Sequence, residues 1–543
     1  MDNWKQPFKR PEWKWPGLFF LLYLGLGLAL FGDYGMSWDE ELQRQHGLVA
    51  AQYIKQRAGT EGPAYDWREL STYQHRHYGV VFSLPMAWLE RAMGLDTPRQ
   101  QYRMRHLGVF LLYWLSSLVF YQIVRQRFGH WSWGLLAAGL WVLSPRLFGH
   151  AFFNPKDIPL LALYVSSTWT LYRFWLRPGP GAGLMHALAC GALIGMRVLG
   201  VFVPMLTLFL FAADAVLGKR GTLPSWQRRT AGLLVYLPAL AGATVLFWPF
   251  LWEAPLARLA EAFSIMADYQ WPSKVLFMGA FYTGAEVPWY YLPTWLGISV
   301  PLLYLALAAA GLAGLARRGL AGLKAHGFAL WDTAADRKDW AALGLFLGPL
   351  VAIWALGAVV YDGWRHVFFI YPSLLYLAVL GVYQLWHRKG ESALWRRALR
   401  ALLAGQMLFL VFWMARNHPH QQVFFNALAR GNQLGHFDLD YWGTAYKQGL
   451  EYLASQAEGG PVKVAYASYP ATLNHAYLEP KLRSRIQLVE EAEKADFYIS
   501  DFRLWESGLQ QALRRSGPYA GEEVHAIYVG QAKALGIYKL HGQ

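Results

Sequence analysis

As far as Arg416 the chain alternates long apolar runs with short basic turns. A membrane-spanning helix needs about 20 apolar residues, and turns that stay on the cytoplasmic side collect Lys and Arg. Together these rules predict about eleven spans, near 17–35, 106–124, 131–148, 158–175, 183–197, 199–216, 230–250, 291–315, 341–360, 366–386 and 398–415. Lys5, Lys9, Arg10 and Lys14 precede the first span, so it leaves the cytoplasm. The inner turns carry pairs such as Arg125 with Arg127, Arg173 with Arg177 and Arg317 with Arg318. A long outer loop is expected at about 36–105. Its apolar segment from Tyr78 to Met93 reads as a helix lying in or dipping into the interface.

Beyond Arg416 the pattern changes, and no run is long enough to cross a bilayer. Short β-like runs stand at Val462–Ala467, Phe497–Ser500, His525–Val529 and Leu535–Tyr538, with helical stretches at Tyr446–Gln456 and Leu504–Arg515. The expected fold is therefore a polytopic α-helical membrane domain, residues 1–416, followed by a small extracytoplasmic α/β domain, residues 417–543.

Composition agrees. Of 543 residues, 55% are hydrophobic and 16% charged, which suits a polytopic helical protein. The aromatic load, with 27 Trp, 31 Tyr and 31 Phe, suits interface belts and pockets for sugars or lipids. The net charge of +15 falls mostly in short loops and helix ends, so it sets orientation and does not point to nucleic acid. The lone Cys190 excludes an intrachain disulfide. No metal-ligand motif, P-loop or dinucleotide-binding glycine fingerprint is present, which leaves a nucleotide-sugar donor or an ATP-driven pump unsupported.

Chemistry concentrates on the outer side. Asp39 and Glu40 follow the first span, and Asn154-Pro155-Lys156-Asp157 lies between two later ones. Carboxylates at a membrane edge are costly and mark functional sites, although acidic residues also simply begin water-exposed loops and Asp157 could cap a helix. Arg197 lies in an apolar run and needs an anion: a structural carboxylate, or a phosphate held bidentately. Arg365 and His366 start a later span and are either snorkelling residues or part of a basic pocket with Lys156 and Arg197. Glu286 and Tyr290 belong to an outer aromatic stripe. The segment Phe437–Gly443 brings Asp438, Asp440, Tyr441 and Trp442, either as a lid over the site that contacts acceptor or sugar, or as a linker with an interfacial anchor.

In their order and sidedness these features resemble the GT-C superfamily of membrane glycosyltransferases. The likeness covers about 1–445 and is strongest to the family-39 protein O-mannosyltransferase type and the lipid A aminoarabinose transferases. The acidic pair Asp39-Glu40, the outer-loop Asp157, the basic Arg197 and the amphipathic region 42–93 carry it. The segments Asp362–Pro372 and Phe437–Gly443 are similar to stretches of bacterial members. The sugar-reading domain of the eukaryotic enzymes is missing. The resemblance implies an inverting transfer from a polyprenyl-phosphate sugar to a hydroxyl acceptor at the outer face of a bacterial inner membrane. Asp39 would be the base, with Glu40 and Asp157 orienting it or the acceptor, and Lys156, Arg197, Arg365 and His366 would hold the phosphate. No cofactor is expected, although related oligosaccharide-transferring members use a divalent ion. The rival readings are a transporter or flippase and a non-catalytic scaffold. They are separated from the enzyme by whether Asp39 and Asp157 converge beside Arg197 in a cavity open to both lipid and the outside.

Overall fold

The structure is a computed structural model that describes residues 13–217, 224–269, 271, 273–326, 331, 333–388, 390, 392–429, 431, 433–457, 460–503 and 522–540. Lys5, Lys9, Arg10 and the predicted helix Leu504–Arg515 lie outside the described residues.

The membrane domain opens with α1 (Lys14–Leu30), α2 (Trp38–Arg57), α3 (Ser83–Ala92) and α4 (Pro98–Phe128). The predicted interfacial helix is thus α3, shorter than expected. The long outer loop is largely helical, because α2 starts immediately at the acidic pair. The third predicted span is broken into α5 (Trp131–Val142) and α6 (Pro145–Phe153), bent by 71° at Leu143-Ser144-Pro145, where proline cannot continue the preceding helix. Next come α7 (Asp157–Leu176), α8 (Pro180–Ile194), α9 (Phe202–Leu217) and α10 (Trp226–Phe247). The segment after α10 holds α11 (Pro255–Ala267) and a hairpin of β1 (Lys274–Phe277) with β2 (Ala280–Thr283), neither of which was expected. The eighth predicted span is divided by Pro301 into α12 (Tyr291–Ser299) and α13 (Leu302–His326). The last membrane helices are α14 (Ala334–Ala355), α15 (Tyr371–Trp386), entered through a 3-10 turn at Arg365–Ile370, and α16 (Ala393–Arg416).

Among the described residues six helices are long and apolar enough to cross a membrane, the bent α5–α6 pair adds one if it is a single span, and three shorter apolar helices accompany them. The protein is a multi-pass membrane protein. One continuous apolar core runs through the helical domain, from Phe20 in α1 to Met414 in α16.

Two buried polar contacts mark opposite ends of α4. Near its start, His106 meets Glu40 at 2.9 Å. Near its end, Arg127 makes two 2.7 Å bonds to Asp339, which also takes Arg318 and the Tyr376 hydroxyl at 2.7 Å. At 1.5 Å per residue these levels are about 30 Å apart, the thickness of a hydrocarbon core.

The C-terminal domain comprises α17 (Tyr446–Gln456), β3 (Val462–Tyr466), α18 (Pro470–Tyr477), α19 (Pro480–Arg483), β4 (Ile486–Val489), β5 (Phe497–Ser500), β6 (Glu522–Val529) and β7 (Ala532–Lys539). The strands form one mixed sheet, β4-β3-β5-β7-β6, parallel around β3 and antiparallel around β7. Four of the five strands and α17 were legible in the sequence; β4 was not. The domain docks on the site end of the bundle. Asn474 of α18 grips Met36 reciprocally, accepting from its N–H at 2.8 Å and donating to its carbonyl at 2.9 Å.

Candidate active site

Three breaks in helical structure bring the charges together. The first is the start of α2. Ser37 caps it, with its N–H donating to Glu40 Oε2 at 2.8 Å, and this sets Asp39 in the first turn. The Ser37 hydroxyl donates to the Phe153 carbonyl at 2.9 Å, which stitches α2 to the end of α6.

The second break is Asn154-Pro155 between α6 and α7. Asn154 Oδ1 accepts from the N–H groups of Lys156 (3.2 Å) and Asp157 (2.8 Å), and its Nδ2 donates to Asp157 Oδ2 at 3.0 Å. This side-chain turn aims Lys156 and Asp157 at the start of α2.

The third break carries Arg197 between α8 and α9. Here the backbone of Gly195 comes so close to Gly79 that a Cβ on Gly79 would lie 2.0 Å from the Gly195 carbonyl oxygen.

Arg365 is the hub. Its guanidinium lies 3.3 Å from Asp39 Oδ2, 3.6 Å from Asp157 Oδ2 and 3.2 Å from Asp362 Oδ2. Its two faces meet Tyr361 and Trp442, each ring centroid at 4.8 Å. Lys156 Nζ is 3.6 Å from Asp39 Oδ2, and Arg197 is 2.9 Å from Asp157 Oδ1. Asp39 and Arg197 keep 18% and 19% side-chain exposure, whereas Asp157 and Arg365 keep 1% and 3%. Asp39 and Arg197 are therefore the charges a ligand meets first, with Asp157 and Arg365 behind them. Burial pushes the Asp39 carboxyl up, but Lys156, Arg365 and Arg197 outweigh it and hold the group at about 2. Burial lowers Lys156, partly offset by Asp39.

Asp39, Asp157, Lys156, Arg197 and Arg365 thus converge, the first of the two conditions set for the enzyme reading. Other expected residues go elsewhere. Glu40, only 2% exposed, is occupied by the Ser37 N–H and His106 rather than by the cluster. His366 packs edge-on against Tyr361 at 4.5 Å, and its Nδ1 has no partner among the described residues. Glu286 is exposed and accepts from Thr283, on the outer hairpin; Tyr290 is exposed beside Phe277.

The expected lid of Phe437–Gly443 is a buried seam. Asp438 accepts from the Leu276 N–H at 3.2 Å, and Asp440 from the Ala445 N–H at 2.8 Å. Burial pushes these carboxyls up to about 7 and about 6 respectively. Buried carboxylates satisfied by backbone amides do not offer themselves to a sugar. Trp442 meets the charge cluster as a ring beside Arg365, and the Tyr441 carbonyl accepts from Arg503.

The sequence reading missed the role of Asp362 and missed Arg503 altogether. Asp362-Gly363 is a turn dipeptide, with φ of 54° and 72°, and that was its available signal. Aromatic rings border the same region: Tyr78 under Lys156 at 5.1 Å, and Trp271 stacked on Tyr361 at 3.7 Å. Clefts lie elsewhere too, one of about 580 Å³ lined by Trp67, Arg68 and His75, and one of about 390 Å³ between α16 and the β6–β7 turn; neither includes a cluster residue.

A divalent cation would need free oxygen ligands. Asp39, Asp157 and Asp362 are each paired with Lys or Arg, so the residues present do not fit one, and the described residues contain no group of three or more His, Cys, Asp or Glu placed to hold a metal ion.

Residues 101–252 match the family model described as dolichyl-phosphate-mannose-protein mannosyltransferase. That region contains Lys156, Asp157 and Arg197 but not Asp39 or Arg365. Among solved structures, an oligosaccharyltransferase of Archaeoglobus fulgidus in its apo form superposes with a TM-score of 0.50 at 12% identity, covering 88% of this chain and 65% of that one. ArnT from Cupriavidus metallidurans in the apo state gives 0.46 at 12% identity over 96% and 98% of the two chains. The arabinofuranosyltransferase AftD from Mycobacteria gives 0.41 at 14% identity over 97% and 40%. No protein of curated function matches by sequence. The chain has the fold of that Archaeoglobus fulgidus oligosaccharyltransferase.

Proposed function

We propose that this chain, a GT-C glycosyltransferase by fold, moves a sugar from a polyprenyl-phosphate donor to a hydroxyl acceptor with inversion at the anomeric carbon. The donor class is supported by the family description, which names dolichyl-phosphate-mannose. The observation that carries the reading is the chain of charges Asp39–Arg365–Asp157–Arg197, buried at its centre and open at Asp39 and Arg197. Cations clustered this way suit a phosphate, and one ionised carboxylate stays within reach of an acceptor.

The step follows from these groups. Arg197, Arg365 and Lys156 hold the donor phosphate and stabilise the charge that grows on it as the bond to the anomeric carbon breaks. The acceptor oxygen forms the new bond from the opposite side and gives its proton to Asp39. Polyprenyl phosphate and the glycosylated acceptor are the products. A carboxyl held at about 2 is a weak base. Phosphate binding corrects this, because an anion on Lys156, Arg365 and Arg197 cancels the field that depresses Asp39.

The basic turns at the Arg127 and Arg318 level support a cytoplasmic location for that end, and so a site facing the periplasm of a bacterial inner membrane. The test is mass spectrometry of cell-envelope glycans from cells expressing the wild type or Asp39→Asn. A single-sugar mass increment present with the wild type and missing with the variant is expected; identical glycans would overturn the reading.

A further inference from the structure

Arg503 belongs to the C-terminal domain, three residues beyond the end of β5, yet it reaches the charges of the membrane domain. It donates to Asp362 Oδ1 at 3.0 Å and to the Tyr441 carbonyl at 2.8 Å. Its guanidinium lies over Trp38 at 5.3 Å and Trp271 at 5.9 Å. Its own N–H donates to Asp501, a carboxylate 1% exposed that also accepts from Ser468. The residue before it, Phe502, has φ of 54°, and Asp362 across the ion pair has the same. Two non-glycine residues in the left-handed region therefore flank one contact. Such strain persists only where the surroundings over-determine it.

Asp362 is shared, with Oδ1 on Arg503 and Oδ2 on Arg365. Among the described residues the linked cluster sets four cations, Lys156, Arg197, Arg365 and Arg503, against three carboxylates, Asp39, Asp157 and Asp362. Without Arg503 the whole charge of Asp362 falls on Arg365.

We propose that Arg503 is a positioning residue for the phosphate site. By occupying one oxygen of Asp362 it leaves Arg365 able to release Asp39 and take the donor phosphate, so the soluble domain completes the membrane-domain site. This rests on the reading that the cluster binds a polyprenyl phosphate.

The test is equilibrium binding of undecaprenyl phosphate to the full-length protein in detergent micelles, with wild type, Arg503→Gln, Arg503→Lys, Asp362→Asn, Arg503→Gln/Asp362→Asn and Arg365→Gln. Arg503→Gln should weaken binding roughly 10–100-fold, the range of one charge-assisted contact. Adding Asp362→Asn should bring it back to within about threefold of wild type, because Asn tolerates the left-handed backbone and removes the charge that Arg503 held. Arg503→Lys should stay within about fivefold, since it keeps the charge. A purely structural Arg503 would not be rescued by Asp362→Asn, and a double variant as weak as Arg503→Gln would overturn the proposal. So would an Arg503→Lys loss as deep as that of Arg503→Gln, or unchanged binding in Arg503→Gln while Arg365→Gln loses it. If Arg365→Gln also binds normally, the phosphate reading itself fails, and the proposal with it.

Discussion

Arg365→Lys keeps the charge at the hub and removes its shape. One guanidinium spans three carboxylates in the wild type, at 3.2, 3.3 and 3.6 Å, and presents flat faces to Tyr361 and Trp442. A lysine ammonium is a point donor on a flexible stem and cannot bridge all three or stack as a plane. With the group 3% exposed, water cannot fill in for the missing contacts. Each contact between charged groups left unmade inside the protein costs about 1.5–3 kcal/mol. Asp157 retains Arg197, Asp39 retains Lys156 and Asp362 retains Arg503, so the loss is partial. About one to two contacts' worth, roughly 2–4 kcal/mol, is expected. If half of that falls on phosphate binding, affinity drops roughly 5–30-fold. The assays are the apparent melting temperature in detergent and the binding of undecaprenyl phosphate. Arg365→Lys should lower both, and Arg365→Gln should lower them further. A lysine variant with wild-type melting and wild-type phosphate affinity would refute the hub reasoning.

Asn154→Ala removes the side-chain turn that aims Lys156 and Asp157 and should lower turnover by about tenfold or more with a smaller loss of stability, measured as kcat against melting temperature. Gly79→Ala puts a methyl 2.0 Å from the Gly195 carbonyl, so it should displace the Arg197 loop and weaken phosphate binding; unchanged binding would show that the loop yields freely. Asp438 has a folded-state pKa raised from 3.8 to about 7, so the fold favours its protonated form and loses that stabilisation as pH rises through that range. Asp438→Asn should therefore melt higher than wild type at pH 8, with the gap shrinking towards pH 5; an equal gap at both pH values would contradict this.

The apolar pattern made the helical domain legible because membrane length and basic turns are strong signals. Counting apolar length passed over the breaks at Ser144-Pro145 and Pro301, although the prolines themselves were the available signal. The cluster was legible where charge stood against an apolar background, as at Arg197, or beside helix-breaking prolines, as at Lys156-Asp157. Asp438 and Asp440 misled for a related reason: acidic residues next to aromatics look the same in sequence whether they line a sugar site or are buried on backbone amides. Arg503 carried no local signal, because its partner lies 141 positions away, and only docking of the C-terminal domain brings the two together.

The central claim is tested most directly by transfer with purified protein, a labelled polyprenyl-phosphate sugar and envelope extract from cells lacking the protein as acceptor. The wild type should move label to the acceptor. Asp39→Asn should cut the rate by about 10²–10⁴-fold, as expected for loss of a general base, while undecaprenyl phosphate binds at least as tightly, because Asp39 no longer competes for Lys156 and Arg365. Transfer by Asp39→Asn at a rate near that of the wild type would contradict the account.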